Sequence, residues 1–298
     1  MRIPSPRNYG DFSIHMTTLV QGHTIAKAIY QRLQKEIPTL QRRGVTPKLA
    51  VVLVGNNKPS LTYVRKKGEA AAHIGVDFVL IHLPANTTTQ GLLNELRSLQ
   101  QPYNKLTGLI VQLPLPRHIN TGKVLEAVLS RLDVDCLTQT NLGKLITGSY
   151  WIEPPTPGAI ISILKYHKVP LVGVNVVVIG AGALVGRPLV NMLMYEQATV
   201  SILNQATRNL SAFTKNADII ITGVGKPGLL TGSMVKPGVV VVDAGVSFIG
   251  KKISGDIDFP SVAKKAKLVT PTPGGVGPLT VAKLIENTVK CAKKILTQ

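Results

Sequence analysis

Apolar residues run almost without interruption along residues 48–55, 76–84 and 107–116 (KLAVVLVG, VDFVLIHLP, TGLIVQLPLP), the pattern of strands covered on both faces. Ahead of them, residues 24–41 (TIAKAIYQRLQKEIPTLQ) set apolar side chains at helical spacing, and Pro38 is expected to kink or shorten that helix. The segments around 60–75 and 88–100 have helical length and character. Strands alternating with helices imply right-handed crossovers and a parallel sheet. A second series follows in VNVVVIGAGALVGRPL, ATVSILN, ADIIITGVG and VVVVDAGV, again with helical segments between, and reads as a doubly wound parallel sheet. The final stretch, PLTVAKLIENTVKCAKKILTQ, is amphipathic at helical spacing and is expected to return to the first domain.

Between the two series, residues 148–158 (GSYWIEPPTPG) are dense in Pro and Gly and read as a hinge. The expected fold class is therefore α/β with two domains: an N-terminal parallel-sheet α/β catalytic domain and a Rossmann-like doubly wound nucleotide-binding domain. Residues 17–155 plus 273–298 form the first, 156–272 the second, and 1–16 read as a disordered extension with Met16 a second candidate start.

Composition sharpens this reading. The chain of 298 residues is 44% hydrophobic with few aromatics, which fits buried parallel strands and argues against disorder. Lys plus Arg outnumber Asp plus Glu by 34 to 15, a formal charge of +19 that draws anions of many kinds. The basic residues are scattered in pairs such as Arg42-Arg43, Lys66-Lys67 and Lys264-Lys265, without interleaved aromatics, so a nucleic-acid module is disfavoured. Cys136 and Cys291 lie far apart with no metal-ligand spacing, so no metal is expected and a reduced, cytoplasmic chain is the simplest inference. No apolar run reaches the roughly 18 residues of a membrane span, and the first fifteen residues lack the apolar core of a secretory signal; an organellar address stays open.

Several short patterns carry candidate chemistry. In NVVVIGAGALVGRPL a buried strand leads through Gly180, Gly182 and Gly186 into a helix, where amides and the helix N-terminus suit a phosphate. The spacing is GxGxxxG rather than GxGxxG, and a ligand-free turn is the competing reading. The next strand ends at Asn204 without the acid that would bind the ribose hydroxyls of NAD; with Arg208 nearby, this favours NADP over NAD. Residues 271–280 (PTPGGVGPLT) read as a rigid loop, too rich in Pro and Gly for helix or strand. Gln112 follows a strand's carboxyl end, where open α/β sheets bind ligands, and LDVDCL places Asp133 and Asp135 in a loop. Tyr63 and Lys67, four apart, share a helix face; by themselves they are an ordinary solvated pair.

Taken together, YVxxK at 63–67, VQLPLP at 111–116, DVD at 133–135, PTPG at 155–158 (Thr156, Pro157, Gly158), VGRP after the Gly-rich turn, GD at 255–256 and PGGVGPLT at 273–280 resemble the bifunctional methylenetetrahydrofolate dehydrogenase/cyclohydrolase family, in order and spacing, from about Thr18 to the C-terminus. The resemblance implies oxidation of 5,10-methylenetetrahydrofolate with NADP, or in some members NAD, then hydrolysis to 10-formyltetrahydrofolate, in one cleft of a homodimeric enzyme. It implies that Tyr63 stacks on the folate, Lys67 is the catalytic lysine, Gln112 bonds that lysine and Asp135 anchors the pterin. Val111, Leu113, Pro273, Gly274, Gly275, Val276, Gly277 and Pro278 fall in the matching folate-lining segments; Gly180, Ala181, Gly182, Arg187, Gln205 and Val246 fall in the cofactor-lining ones.

Departures accompany the match. Leu132 and Cys136 stand where the family has Lys and Gly around the carboxylates, leaving pocket polarity open. Pro155 replaces a frequent Cys, Gly182 a Ser, and Asn204-Gln205 a His followed by Ser or Arg. The chemistry needs a lysine that is neutral part of the time, its pKa lowered by burial or by neighbouring positive charge such as Arg65 and Lys66. Replacing both with Gln is then expected to shift the acidic limb of hydrolysis upward. Two rivals remain: a monofunctional dehydrogenase, and a non-catalytic nucleotide- or nucleic-acid-binding protein on the same scaffold.

Overall fold

The structure, a computed structural model, describes residues 17–250 and 252–297, so the extension expected at 1–16 lies outside the described residues. The chain runs β1 (Thr18–Leu19), α1 (Gly22–Arg42), β2 (Lys48–Val54), α2 (Lys58–Ile74), β3 (Asp77–Leu83), α3 (Thr89–Leu99), β4 (Gly108–Val111), α4 (Thr121–Glu126), α5 (Gln139–Ile146) and α6 (Pro155–Tyr166). It continues with β5 (Asn175–Ile179), α7 (Gly186–Tyr195), β6 (Thr199–Leu203), α8 (Leu210–Thr214), β7 (Ile219–Thr222), β8 (Val240–Asp243), β9 (Ser247–Ile249), β10 (Lys252–Ser254), α9 (Phe259–Ala263), β11 (Leu268–Val269) and α10 (Val276–Ile295).

Two parallel sheets result, of order β3-β2-β4 and β1-β11-β8-β7-β5-β6. The uninterrupted apolar run of β2 is explained by its central place. Leu49 and Val51 pack under α1, α2 and α10, while Ala50, Val52 and Val54 face α3 and α4. Successive side chains on a strand point to opposite faces, so a strand covered on both sides must be apolar throughout. The second sheet repeats this: Val176 and Val178 of β5 pack under α6 and α7, and Val177 and Ile179 face the opposite core.

The long helix α10 joins the halves. Its first turns supply Val276, Leu279 and Ala282 to the core of the second sheet, and its later turns supply Leu284, Ile285 and Val289 to the core of the first. The helix does return to the first half, and it is enclosed on more sides than an amphipathic surface helix.

Four expectations change. Helix α1 runs through Pro38 to Arg42. An interior proline costs about 3 kcal/mol, but full burial of Ile37 and Leu40 contributes about 1.5–3 kcal/mol each, and Pro38 itself sits on the exposed face. Residues 18 and 19, expected in the first domain with the rest of 17–155, pair with Leu268 and Val269 at the edge of the second sheet. Fully buried Val20 anchors them in the second sheet's core. The segment 271–280 is a loop only to Gly275. Pro278 falls in the first turn of α10, where a missing N–H leaves no helical bond unmade. Similarly, the hinge segment 148–158 ends inside α6, which begins at Pro155. The antiparallel hairpin β9-β10 had no counterpart in the sequence reading.

Candidate active site

Helix α2 starts just beyond the carboxyl end of β2, the crevice side of a parallel sheet. Asn57 caps it, its Oδ1 accepting from the Ser60 backbone N–H at 3.0 Å, and Pro59 fits the first turn. This start places Tyr63 and Lys67 one turn apart on a single face. Strand β4 ends beside it, and the Gln112 N–H continues the ladder by donating to the Val52 carbonyl at 2.9 Å. The Gln112 side-chain amide donates to the Leu113 carbonyl at 2.7 Å, which turns its Oε1 toward Lys67; Nζ donates to that oxygen at 2.9 Å.

The third participant comes from the loop after α4. The Leu109 N–H donates to the Leu132 carbonyl at 2.8 Å, fastening this loop along β4. The two carboxylates then part company. Asp133 is buried and accepts from the N–H groups of Leu137 and Thr138, the Thr138 hydroxyl and Asn141 Nδ2, so it builds the turn into α5. Asp135 is left to act on Lys67.

Lys67 and Asp135 keep some accessible surface yet are ringed by protein. Burial pushes the Lys67 amine below its ordinary value, with Asp135 pulling the other way. Burial pushes the Asp135 carboxyl up, opposed by Lys67 and reinforced by Asp133. Burial thus moves both groups toward their neutral forms, the direction that a pair exchanging a proton requires. Burial also raises the Tyr63 hydroxyl, so Tyr63 stays a neutral ring.

Arg65 and Lys66 do not lower the lysine as expected. Both are exposed, and Arg65 pairs with Glu69 at 2.7 Å. The charged group acting on Lys67 is Asp135. Replacing Arg65 and Lys66 with Gln is therefore expected to leave the acidic limb of the pH–rate profile unmoved, as steady-state rates across pH will test.

The departures around the carboxylates also find places. Leu132 is buried in the core under α3 and α4, and Cys136 in the core under α1 and α10, so neither changes the polarity of the cleft. Cys136 has φ 58°, a left-handed backbone that glycine adopts freely and other residues at about 1–2 kcal/mol. Its thiol is pushed up to about 12 by burial and the two aspartates, which makes it inert.

The folate-lining candidates divide in the same way. Pro273 and Gly277 are exposed, and Leu113, Gly274 and Pro278 are partly so. Val111, Gly275 and Val276 are buried, with both valine side chains in the cores, so any part these residues take in the cleft is through main-chain atoms. The loop itself is seated on the start of α1: Gly22 N–H donates to the Gly274 carbonyl at 3.0 Å, and a Cβ on Gly22 would lie 1.8 Å from the Gly275 oxygen.

At the second sheet, Gly180 leaves β5 with φ 117°, and a Cβ there would meet the Gly223 oxygen at 2.9 Å. Helix α7 begins at Gly186 with no side-chain cap from Val185; the Arg187 N–H donates to the Gly182 carbonyl at 3.1 Å and Pro188 has no N–H, which leaves the Gly186 amide and the helix dipole to meet an anion. Gly182 has open space around it, and Arg187 is exposed in the first turn. Asn204 Oδ1 accepts from the Ala206 N–H at 2.9 Å, forming a turn that leaves Gln205 and Arg208 exposed; Val246 is exposed after β8. This cradle fits a dinucleotide: a close-packed glycine turn, an uncapped helix start and no acid at the ribose position.

Sequence reasoning gave Asp243 and Asp256 no role. Buried Asp243 accepts from the N–H groups of Gly245, Asp256 and Ile257, and Asp256 accepts from those of Val224 and Lys226 at 2.7 Å. They fix the loops at the carboxyl ends of β7 and β8, and the GD at 255–256 was the one signal. Among the described residues no three His, Cys, Asp or Glu are grouped to hold a metal ion, and no helix is long and apolar enough to cross a membrane.

Comparison with known proteins bears on both halves. Residues 20–135 match the family model described as the tetrahydrofolate dehydrogenase/cyclohydrolase catalytic domain, and residues 154–296 match that family's NAD(P)-binding domain. The chain is 43% identical over 277 residues to the Bifunctional protein FolD of Nautilia profundicola, covering 93% of this chain and 97% of that one. Among solved structures it is similar to the bifunctional methylenetetrahydrofolate dehydrogenase/cyclohydrolase of Campylobacter jejuni (TM-score 0.91, 41% identity, 94% and 99% of the two chains). It is also similar to the Trypanosoma brucei N5,N10-methylenetetrahydrofolate dehydrogenase-cyclohydrolase complexed with NADP cofactor and inhibitor (TM-score 0.91, 34% identity, 95% and 99%).

Proposed function

The chain belongs to the tetrahydrofolate dehydrogenase/cyclohydrolase family, and from that premise we infer that Lys67, Gln112, Asp135 and Tyr63 carry its chemistry. The enzyme oxidises 5,10-methylenetetrahydrofolate with NADP to the 5,10-methenyl form and hydrolyses this to 10-formyltetrahydrofolate. The observation that carries the residue roles is the Lys67 amine, depressed by burial, bonded to Gln112 and acted on by Asp135.

Bound NADP supplies a hydride acceptor; Gly180, Ala181, Gly182, Arg187, Gln205 and Val246 would hold it. Loss of hydride leaves the folate one-carbon unit a cation flanked by two nitrogens. Tyr63 offers a neutral ring face to the flat folate, and Asp135 a hydrogen-bonding carboxyl to its pterin. In hydrolysis a water oxygen bonds to the cationic carbon while neutral Lys67 takes a proton from that water. The carbon's bond to N5 then breaks, and its electron pair takes up one of the two water protons, leaving the formyl group on N10. One proton is released overall. Gln112 keeps the amine aimed by accepting from it and, being uncharged, does not raise its pKa as a second carboxylate would.

A single experiment tests this reading. The protein is mixed with methylenetetrahydrofolate and NADP or NAD, and reduced cofactor, methenyl absorbance and formyl product are followed together. Faster turnover with NADP and accumulation of formyl product are expected. A methenyl end product would indicate a monofunctional dehydrogenase, and no turnover with tight, salt-sensitive nucleic-acid binding would favour the scaffold-only reading.

We further propose a cytosolic homodimer. Cys136 and Cys291 are free and buried, which suits a reducing compartment. Strand β3 is a sheet edge with Val79 and Leu80 37% and 42% exposed, beside a groove lined by Leu61, Val64, Arg65, Gly68 and Phe78. That groove is on the face of α2 opposite Tyr63 and Lys67, and an apolar edge of this kind calls for a covering partner. Leu80→Lys is expected to halve the mass measured by light scattering; a monomeric unsubstituted protein would overturn the proposal.

A further inference from the structure

Asn287 is fully buried in α10, among apolar neighbours on the face turned to the first half. Its Nδ2 donates to the Val134 carbonyl at 2.9 Å and to the Glu153 carbonyl at 2.7 Å, while Oδ1 has no hydrogen-bond partner among the described residues. Both amide hydrogens are thus committed to carbonyls far apart in the chain. Burying an amide is costly unless it is bonded, so the site is built around these two donations. One turn earlier on α10, Lys283 pairs with the Glu153 carboxylate at 2.7 Å and with Glu286 at 2.8 Å. Glu153 is therefore held by its side chain and its carbonyl, in the linker between α5 and α6 that leads to the cofactor half.

The Val134 carbonyl shares its peptide plane with the nitrogen and Cα of Asp135. A hydrogen bond to that oxygen fixes the plane from which the Asp135 side chain projects. We propose that Asn287 is a positioning residue whose one amide sets the Asp135 carboxylate against Lys67 and ties it to the linker, holding folate and cofactor in register. This rests on the reading of Asp135 and Lys67 given above. The charged groups concerned are few. Asp135 acts on Lys67 from the loop, Asp133 acts on Asp135, and on α2 itself Arg65 and Lys66 are exposed and do not act on the amine.

The test uses the full chain carrying Asn287→Leu, close in volume but without donors, and Asn287→Ser, which keeps one short donor. Relative to the unsubstituted enzyme, Asn287→Leu is expected to raise the KM for methylenetetrahydrofolate about tenfold, as for loss of one buried hydrogen bond, with the NADP KM within about twofold. Dehydrogenase kcat is expected to fall further than cyclohydrolase kcat, because only hydride transfer spans both halves. The acidic limb of hydrolysis is expected to move to lower pH, since Lys67 loses the carboxylate that raises its pKa. Asn287→Ser is expected to lie between, and decides the matter if Asn287→Leu does not fold. Folate KM and acidic limb both unmoved in a folded variant, whatever its Tm, would overturn the proposal. Absence of turnover in the unsubstituted enzyme would instead overturn the site reading on which it rests.

Discussion

Replacing Lys67 with Met is expected to slow formation of 10-formyl product from the methenyl substrate about 10³-fold, within the range for removal of a general acid–base group. The protein should stay folded, with Tm within about 3 °C, because Met fills the same space and removes a charge that burial disfavours. Hydride transfer takes no proton from the substrate, so NADPH formation should fall by no more than about 100-fold, as for a lost positioning contact. Lys67→Arg separates the two roles a lysine could play. It keeps a positive charge and a donor toward Gln112, but it cannot lose a proton at working pH. If the neutral amine accepts the proton of the attacking water, Lys67→Arg is as inactive in hydrolysis as Lys67→Met and loses the acidic limb. If charge alone stabilises the site, Lys67→Arg retains most of its hydrolytic rate, and the base assignment falls.

That this lysine could be singled out as a candidate from sequence, and that its environment could not be read there, has a physical basis. Tyr63 and Lys67 share a face because four residues make about one helical turn, and Gln112 sits at a strand's end because the LPLP that follows, with two prolines, cannot continue a central strand. These are local facts. Depression of the Lys67 pKa was expected, but its cause was open between burial and Arg65 with Lys66, and only packing distinguishes them. Asp133 and Asp135 are the same residue type two positions apart in one loop; the fold decides that one satisfies a turn and the other acts on the amine through its charge. Continuous strands such as β2 were legible because both faces are buried. Strand β1 was not, since two residues acquire meaning only by pairing with Leu268 and Val269 at the far end of the chain. The one local sign of Asn287 was a carboxamide between Leu284-Ile285 and Val289 on a face that otherwise reads apolar.

Gly186→Ala is the second substitution with a large expected effect, and it acts at the other half. A Cβ on Gly186 would lie 1.7 Å from the Gly180 carbonyl oxygen and 2.8 Å from its carbon. Both are backbone atoms of the turn leaving β5, so no side-chain rotation relieves the contact, and either the turn or the start of α7 must move. This accounts for a glycine at the third position even though the spacing is one residue longer than the usual fingerprint: the demand is close packing of helix on turn. Displacement spoils the alignment of the α7 start with Gly180 and Gly182, and strains the Arg187 N–H bond to the Gly182 carbonyl that holds helix and turn together where a pyrophosphate would lie. The expected result is a rise of about 100-fold in the NADP KM, with stability lowered by about 2–4 kcal/mol, as for other backbone-level clashes. The catalytic half keeps its own core and the Lys67–Gln112 pair, so hydrolysis of supplied methenyltetrahydrofolate should persist within about threefold wherever the variant is folded, because distant sites are nearly independent. Dehydrogenase lost and cyclohydrolase kept in one variant would place the cofactor at the Gly180–Gly186 turn. An unchanged NADP KM would remove it from there, and parallel loss of both activities in folded protein would show that the turn shapes the catalytic half as well.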